Sequence, residues 1–72
     1  MPQILTVSQA QWDEWTAGME ARGRQRLSTW LTHSATHATR TESGVLLRRK
    51  DWDANGVSKL VALDGSESWT PN

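Results

Sequence analysis

The amino-acid sequence predicts an α+β fold, in which one or two N-terminal helices pack on a C-terminal β-meander of two or three antiparallel strands. Two observations lead to this prediction. The first half of the chain carries apolar residues at helical spacing, and the second half carries two apolar stretches of strand length separated by a turn sequence. The chain has 72 residues, the length of a small domain. We therefore interpret residues 1–72 as a single domain and residues 66–72 as its polar tail.

The first helix is predicted over residues 9 to about 22. Ser8 precedes this range and is a preferred N-cap residue. Trp12, Trp15 and Met19 stand at positions i, i+3 and i+7, which share one face of a helix. This apolar stripe indicates that the helix buries one face against the rest of the fold.

Gly23 leaves the end of this helix open to two interpretations. A glycine commonly follows the last helical residue, so a second helix would run from about residue 25 to residue 34. Alternatively, one helix continues from residue 9 to about residue 34, since Leu27 and Trp30 nearly continue the apolar stripe. The continuous helix would contain two interior glycines, each costing about 1 kcal/mol relative to alanine. We favour two helices.

Residues 32–43 are rich in Thr and Ser and contain no large apolar side chain. Because threonine favours strands, the segment forms either a solvated edge strand over about residues 36–41 or a connector. Residues 42–44, Glu-Ser-Gly, then predict a turn.

A β-hairpin is predicted from residues 45–52 and 57–63. Between them, residues 53–56 read Asp-Ala-Asn-Gly, which suits a type I turn followed by a bulge. This register places Asp51 opposite Lys59, a favourable cross-strand pair.

Tryptophan must supply much of the core. The chain has five Trp, no Phe, no Tyr and 12 Leu, Ile and Val residues, and each indole can bury roughly 200 Å². The predicted core residues are Trp12, Trp15, Met19, Leu27, Trp30 and Leu31 from the helices and Leu47, Leu60, Val61 and Leu63 from the strands, with Val45 and Trp52 as further candidates.

Charged residues are segregated along a chain whose net charge is zero. The net charge is −3 for residues 1–20, +6 for residues 21–50 and −3 for residues 51–72. Six of the eight basic residues are Arg, whose planar guanidinium suits paired contacts to carboxylates or phosphates. The pattern therefore predicts an arginine-rich surface that meets another molecule.

We expect a non-enzymatic binding protein that acts through protein–protein interaction, an accessory or inhibitor of the kind that phages and mobile elements encode. Trp and Arg are the residues most enriched at interface hot spots, and Trp69 is the best candidate for an exposed anchor. The expected partner is another protein with an acidic surface. A homo-oligomer is also considered, because so small a core is marginal alone. The predicted partner-binding residues are Arg22, Arg24, Arg26, Arg48, Arg49, Lys50, Trp52 and Trp69.

The alternative function is a small DNA-binding regulator that uses the basic segment 22–50. The zero net charge weighs against it, because nucleic-acid binding draws most of its non-specific affinity from a basic excess.

Catalytic and metal chemistry is poorly represented in the sequence. The chain has no Cys, which excludes disulfides, thiolate zinc sites and cysteine nucleophiles. His33 and His37 supply only two ligands at helical spacing, and Asp51 and Asp53 are interpreted as turn residues. No apolar stretch approaches the roughly 20 residues of a membrane span, and no secretory signal pattern appears. We expect no catalytic residue, no metal, no cofactor and no membrane partner, and a cytoplasmic location.

Overall fold

The computed structural model describes residues 7–32 and 37–72. Three helices and four strands follow one another as α1 (Gln9–Thr16), α2 (Ala21–Thr32), β1 (His37–Thr41), β2 (Gly44–Arg48), α3 (Lys50–Ala54), β3 (Val57–Ala62) and β4 (Glu67–Pro71). The predicted α+β class is confirmed, and the described sheet has four strands rather than two or three. None of the described helices is long and apolar enough to cross a membrane.

The two predicted helices are present, but the break between them is at residues 17–20. Ser8 caps α1 as predicted, since its Oγ accepts a hydrogen bond from a backbone N–H of the first turn at 3.2 Å. Helix α1 ends at Thr16 rather than near Arg22. Gly18 has a φ of +75°, a conformation that side-chain-bearing residues rarely adopt, so the chain turns there. The predicted end of the second helix at residue 34 lies outside the described residues.

Gly23 does not end a helix; it lies buried inside α2. A Cβ at this position would come within 2.9 Å of the Leu63 carbonyl oxygen. The glycine therefore lets α2 approach the turn between β3 and β4, and the prediction that the chain breaks at Gly23 is wrong. Spacing alone cannot separate a glycine that ends a helix from one that makes room for a neighbour.

The sheet is an antiparallel meander in the order β1-β2-β3-β4. The threonine-rich segment is a strand, β1, at one edge of this sheet, and a turn at residues 42–43 joins it to β2. Its predicted start at residue 36 falls outside the described residues.

The predicted pairing of the two apolar stretches is confirmed, but their connection differs. Val45 lies opposite Val61 and Leu47 lies opposite Lys59, so the predicted Asp51–Lys59 pair is wrong. Residues 50–54 form the short helix α3 instead of the end of a strand and a turn. Acidic residues in its first turn favour a helix start, and the helical turn directs Trp52 into the core.

The stretch predicted as a polar tail pairs with β3 as strand β4. Lys59 lies opposite Trp69, and Val61 lies opposite Glu67. The chain reverses at Asp64, whose carboxylate accepts hydrogen bonds from the Ser66 backbone N–H at 2.9 Å and the Ser66 hydroxyl at 2.6 Å. A side chain that bonds to the backbone two residues later is a known turn former.

The Asp64 turn makes the stability of the fold depend on pH in the acidic range. Hydrogen bonds from the Ser66 side chain and then from the Ser66 backbone lower the pKa of Asp64. Because the pKa of Asp64 is lower in the folded chain, the ionised carboxylate stabilises the fold at pH values above about 3.9, the ordinary pKa of aspartate. This contribution is lost as the pH falls through the folded-state pKa. We expect wild type to lose more stability than Asp64→Asn between pH 7 and pH 3, measured as urea midpoints. Equal losses in both proteins would contradict this assignment.

The core lies between the helices and one face of the sheet. Because neighbouring residues on a strand point to opposite faces, Leu60 cannot share the helix-covered face with Val61. Leu60 is half-buried on the other face, opposite Leu46, so its predicted core position is wrong. Trp12, Trp30 and Leu63 pack against the core while half-buried. Among the described residues, the buried hydrophobic core comprises Trp15, Met19, Leu27, Leu31, Val45, Leu47, Trp52 and Val61.

Candidate functional site

Three tryptophans from three different elements meet at one end of the helix-covered sheet face. Trp30 comes from α2, Trp52 from α3 and Trp69 from β4. The ring centroids of Trp30 and Trp52 are 5.2 Å apart with an interplanar angle of 74°, and those of Trp52 and Trp69 are 5.3 Å apart at 82°. Both are edge-to-face arrangements, which aromatic rings prefer over face-to-face stacking. We call these three residues the indole cluster.

The ammonium group of Lys59 lies inside the indole cluster. Its Nζ is 4.4 Å from the ring centroid of Trp30, 4.5 Å from that of Trp69 and 5.6 Å from that of Trp52. The register of β3 directs Lys59 to this face, and the lysine side chain is only 14 % exposed. A cation within about 6 Å of an indole face is attracted by the ring quadrupole, which explains how a lysine is accommodated on the covered face.

Glu67 completes the surroundings of Lys59. Its Oε1 is 3.7 Å from Lys59 Nζ and accepts a hydrogen bond from the indole N–H of Trp30. Its Oε2 is 3.8 Å from Arg26 Nη1. One carboxylate thus faces two cations and ties α2 to β4. The Arg26 side chain is 51 % exposed, so we expect its ion pair to contribute little stability.

Arg49 borders the indole cluster on the side of Trp52. Its guanidinium carbon lies 5.1 Å from the Trp52 ring centroid, and its Nε is 3.0 Å from Asp51 Oδ1. The Arg49 side chain remains 28 % exposed. Arg26 and Arg49 therefore flank the tryptophans from two directions.

Trp69 is the exposed member of the cluster. Of the large hydrophobic residues in the described parts of the chain, it is the exposed one, at 55 %. Trp52 is buried beneath it, and Trp30 is half-buried. The sequence pattern predicts both Trp52 and Trp69 as partner-binding residues; the structure brings their rings into contact, with Trp52 buried and Trp69 exposed.

The remaining predicted site residues lie elsewhere. Arg48 has the opposite orientation to Leu47 on β2 and forms a two-point contact with Asp53, at 3.2 and 3.1 Å. Arg24 donates a hydrogen bond to the Met19 carbonyl group. Arg22 lies beside the turn at residues 64–65, and Lys50 is exposed at the start of α3.

The charge segregation along the chain is partly cancelled in space. Arginines of the basic middle segment pair with acids of the C-terminal segment: Arg26 with Glu67, Arg48 with Asp53, and Arg49 with Asp51. The sequence suggested arginines left free for a partner; in the structure these three have acidic neighbours of their own chain.

Sequence reasoning missed Trp30, Lys59 and Glu67 as parts of this site. The sequence pattern places Trp30 in the core, pairs Lys59 with Asp51 and leaves Glu67 in the polar tail. The overlooked signal is the spacing of Glu67 and Trp69, which lie on one face of a strand. Once residues 67–71 form a strand, the register brings both of them to Lys59.

A separate cavity of about 260 Å³ lies between the start of α1 and the end of α2. None of the described residues that line it has an ionisable side chain. Across residues 7–32 and 37–72, no three His, Asp or Glu side chains are grouped to hold a metal ion, and His33 lies outside these ranges. The cavity is lined by Val7, Ser8, Gln9, Trp12, Ser28, Leu31 and Thr32.

Comparisons of the chain with known protein families, with curated proteins and with solved structures found no match.

Proposed function

We propose that this chain is a non-enzymatic protein-binding module that docks on another protein through Trp69, with Trp30, Arg26 and Arg49 around it. We call these four residues the docking surface. The observation that carries the proposal is the exposure of Trp69, 55 % of which faces solvent. Exposed tryptophans flanked by arginines are typical of interface hot spots.

The position of Trp69 is fixed before any partner binds. Strand pairing holds its backbone opposite Lys59, and the edge-to-face contact with Trp52 orients its ring. An anchor that is already ordered loses little conformational entropy on binding. This supports a role for Trp69 in recognition, beyond covering the indole below it.

We expect the partner protein to carry an acidic surface. Arg26 and Arg49 are partly exposed, and each pairs with its own acid through one nitrogen. A guanidinium has five N–H donors in a planar fork, so most of these donors are available to a second carboxylate. Paired arginine–carboxylate contacts at the edge of an interface favour the correct partner and speed association.

A matched pair of neighbouring arginines tests the docking surface. Arg48 and Arg49 each pair with an aspartate, but only Arg49 borders the indole cluster. We expect Arg49→Glu to weaken capture of the partner from a host lysate at least ten-fold, and Arg48→Glu to leave it near the wild-type level. The measurement is quantitative affinity capture with the tagged chain, after circular dichroism has shown that both variants are folded. Equal capture by both variants would contradict the proposed surface.

Two other partners are distinguished by simple measurements. A nucleic-acid partner would be shown by retention on heparin that falls steeply with salt and disappears when Arg48 and Arg49 are both reversed in charge. A second copy of the chain would give a mass near twice 8.1 kDa in light scattering. Either result, without a captured protein, would overturn the proposal of a different protein as partner.

A further inference from the structure

We propose that the indole cluster and Glu67 form a binding site for a quaternary ammonium group, and that Lys59 occupies this site in the free chain. The proposal goes beyond the docking surface, because it concerns a small cationic group held among the rings. It stands on the position of Lys59 Nζ, which is within 5.6 Å of all three ring centroids.

The arrangement of the rings suits a compact cation. Trp52 is nearly perpendicular to both Trp30 and Trp69, so neither pair stacks and ring faces remain available to the ammonium group. Glu67 adds a negative charge 3.7 Å from the Lys59 Nζ. Several aromatic faces and a carboxylate around one point are the elements by which proteins recognise quaternary ammonium ligands.

The site matches an alkylated ammonium better than it matches the lysine in it. A lysine ammonium carries three N–H donors, yet within the described residues no hydrogen bond involves Lys59 Nζ, and the Glu67 contact exceeds hydrogen-bond distance. A quaternary ammonium has no N–H group to satisfy, and its alkyl groups contact ring faces directly. Such a ligand needs no hydrogen-bond acceptor beside the rings and the Glu67 carboxylate.

The site is open on the side of Trp69, whose ring is its outer wall and is 55 % exposed. Lys59 is attached by a flexible four-carbon stem, so its ammonium group can leave the rings and regain water. Wild type therefore binds an external quaternary ammonium in competition with its own lysine. A variant without that lysine binds the same ligand more tightly.

The test is a titration with tetramethylammonium, followed by NMR of the indole N–H groups and by tryptophan fluorescence. We expect Lys59→Ala to show saturable binding at least ten-fold tighter than wild type. The double variant K59A/W69A, which lacks the outer wall, should show no binding. Choline should bind Lys59→Ala at least ten-fold more tightly than 3,3-dimethylbutan-1-ol, its uncharged analogue of the same shape.

Titrations with two further ligands distinguish the possible sources of the cation. Free choline represents a small metabolite, and a short peptide containing trimethyl-lysine represents a modified protein; binding of either supports the site, and their ratio shows which source it prefers. Absence of saturable binding of tetramethylammonium to folded Lys59→Ala would overturn the proposal. Equal binding of the uncharged analogue would also overturn it, since the site would then be merely apolar.

Wild type provides an independent test if Lys59→Ala does not fold. The lysine methylene next to Nζ should resonate upfield because of the ring currents of the indoles. Saturating tetramethylammonium should move this signal towards its ordinary position, and an unmoved signal would overturn the proposal. The docking surface is unaffected by either outcome, because the comparison of Arg48→Glu with Arg49→Glu involves no ammonium ligand.

Discussion

Trp52→Ala is expected to destabilise the chain by about 3–5 kcal/mol, the usual cost of truncating a buried aromatic residue to alanine. The Trp52 side chain is 8 % exposed and contacts the rings of both Trp30 and Trp69. Its removal also eliminates the cation–π contacts that Lys59 and Arg49 make with the Trp52 ring. The loss approaches the whole stability of a domain of this size, which is about 4–10 kcal/mol.

Urea unfolding followed by far-ultraviolet circular dichroism measures this effect without depending on tryptophan fluorescence. Trp12→Ala is the matched control, because Trp12 packs at the margin of the core, away from the indole cluster. A loss for Trp52→Ala no larger than that for Trp12→Ala would contradict the central position given to Trp52.

Gly44→Ala is expected to prevent the sheet from forming in its present register, with a loss of at least about 3 kcal/mol. Gly44 is paired on both sides, with Thr41 in β1 and Ala62 in β3. An added Cβ would overlap the carbonyl oxygen of Val61 and come within 2.8 Å of the Ala62 Cα. These are backbone atoms of the neighbouring strand, so no side-chain rotation can relieve the overlap.

Gly18→Ala controls for the effect of backbone conformation alone. Gly44 and Gly18 both have a positive φ, +153° and +75°. At Gly18, however, no atom lies within 4 Å of the position that its Cβ would take. We expect a cost of only about 1 kcal/mol for the strained conformation. Thermal unfolding of both variants measures the difference, and a Gly44→Ala chain as stable as Gly18→Ala would show that β2 and β3 are not so closely paired.

Local signals predicted the elements that depend on local chemistry. The N-cap at Ser8, the apolar stripe of the helices and the pairing of β2 with β3 all follow from residue type and spacing. Each of these features is determined by residues that are close to it in the sequence. That is why the α+β class could be predicted without any knowledge of tertiary contacts.

The elements that were missed depend on tertiary contacts. The Asp and Gly residues at positions 51–56 suit a turn and a short helix equally. The helix is favoured because it buries Trp52. Strand β4 shows no apolar alternation, because on its covered face Glu67 and Trp69 contact a lysine instead of aliphatic side chains. The pattern that normally reveals a half-buried strand is therefore absent from its sequence.

The partner-binding role of the candidate site stays a prediction. The sequence pattern named Trp69, Arg26 and Arg49 among its partner-binding residues, and the structure places these three around one cluster. Charge along the chain could not show that Arg48 points to the other sheet face or that Arg24 turns back to its own backbone. Those placements depend on strand orientation and helix boundaries, which differ from the predicted ones.

We propose that Trp69 serves recognition more than stability, and Trp69→Ala tests this proposal with two readouts on one protein. We expect a loss of about 1 kcal/mol in the free energy of unfolding, because Trp69 makes only an exposed aromatic contact and a cation contact. We also expect at least a ten-fold loss in capture of the partner protein, the size typical of a hot spot. A folded Trp69→Ala chain that captures the partner as wild type does would contradict the claim.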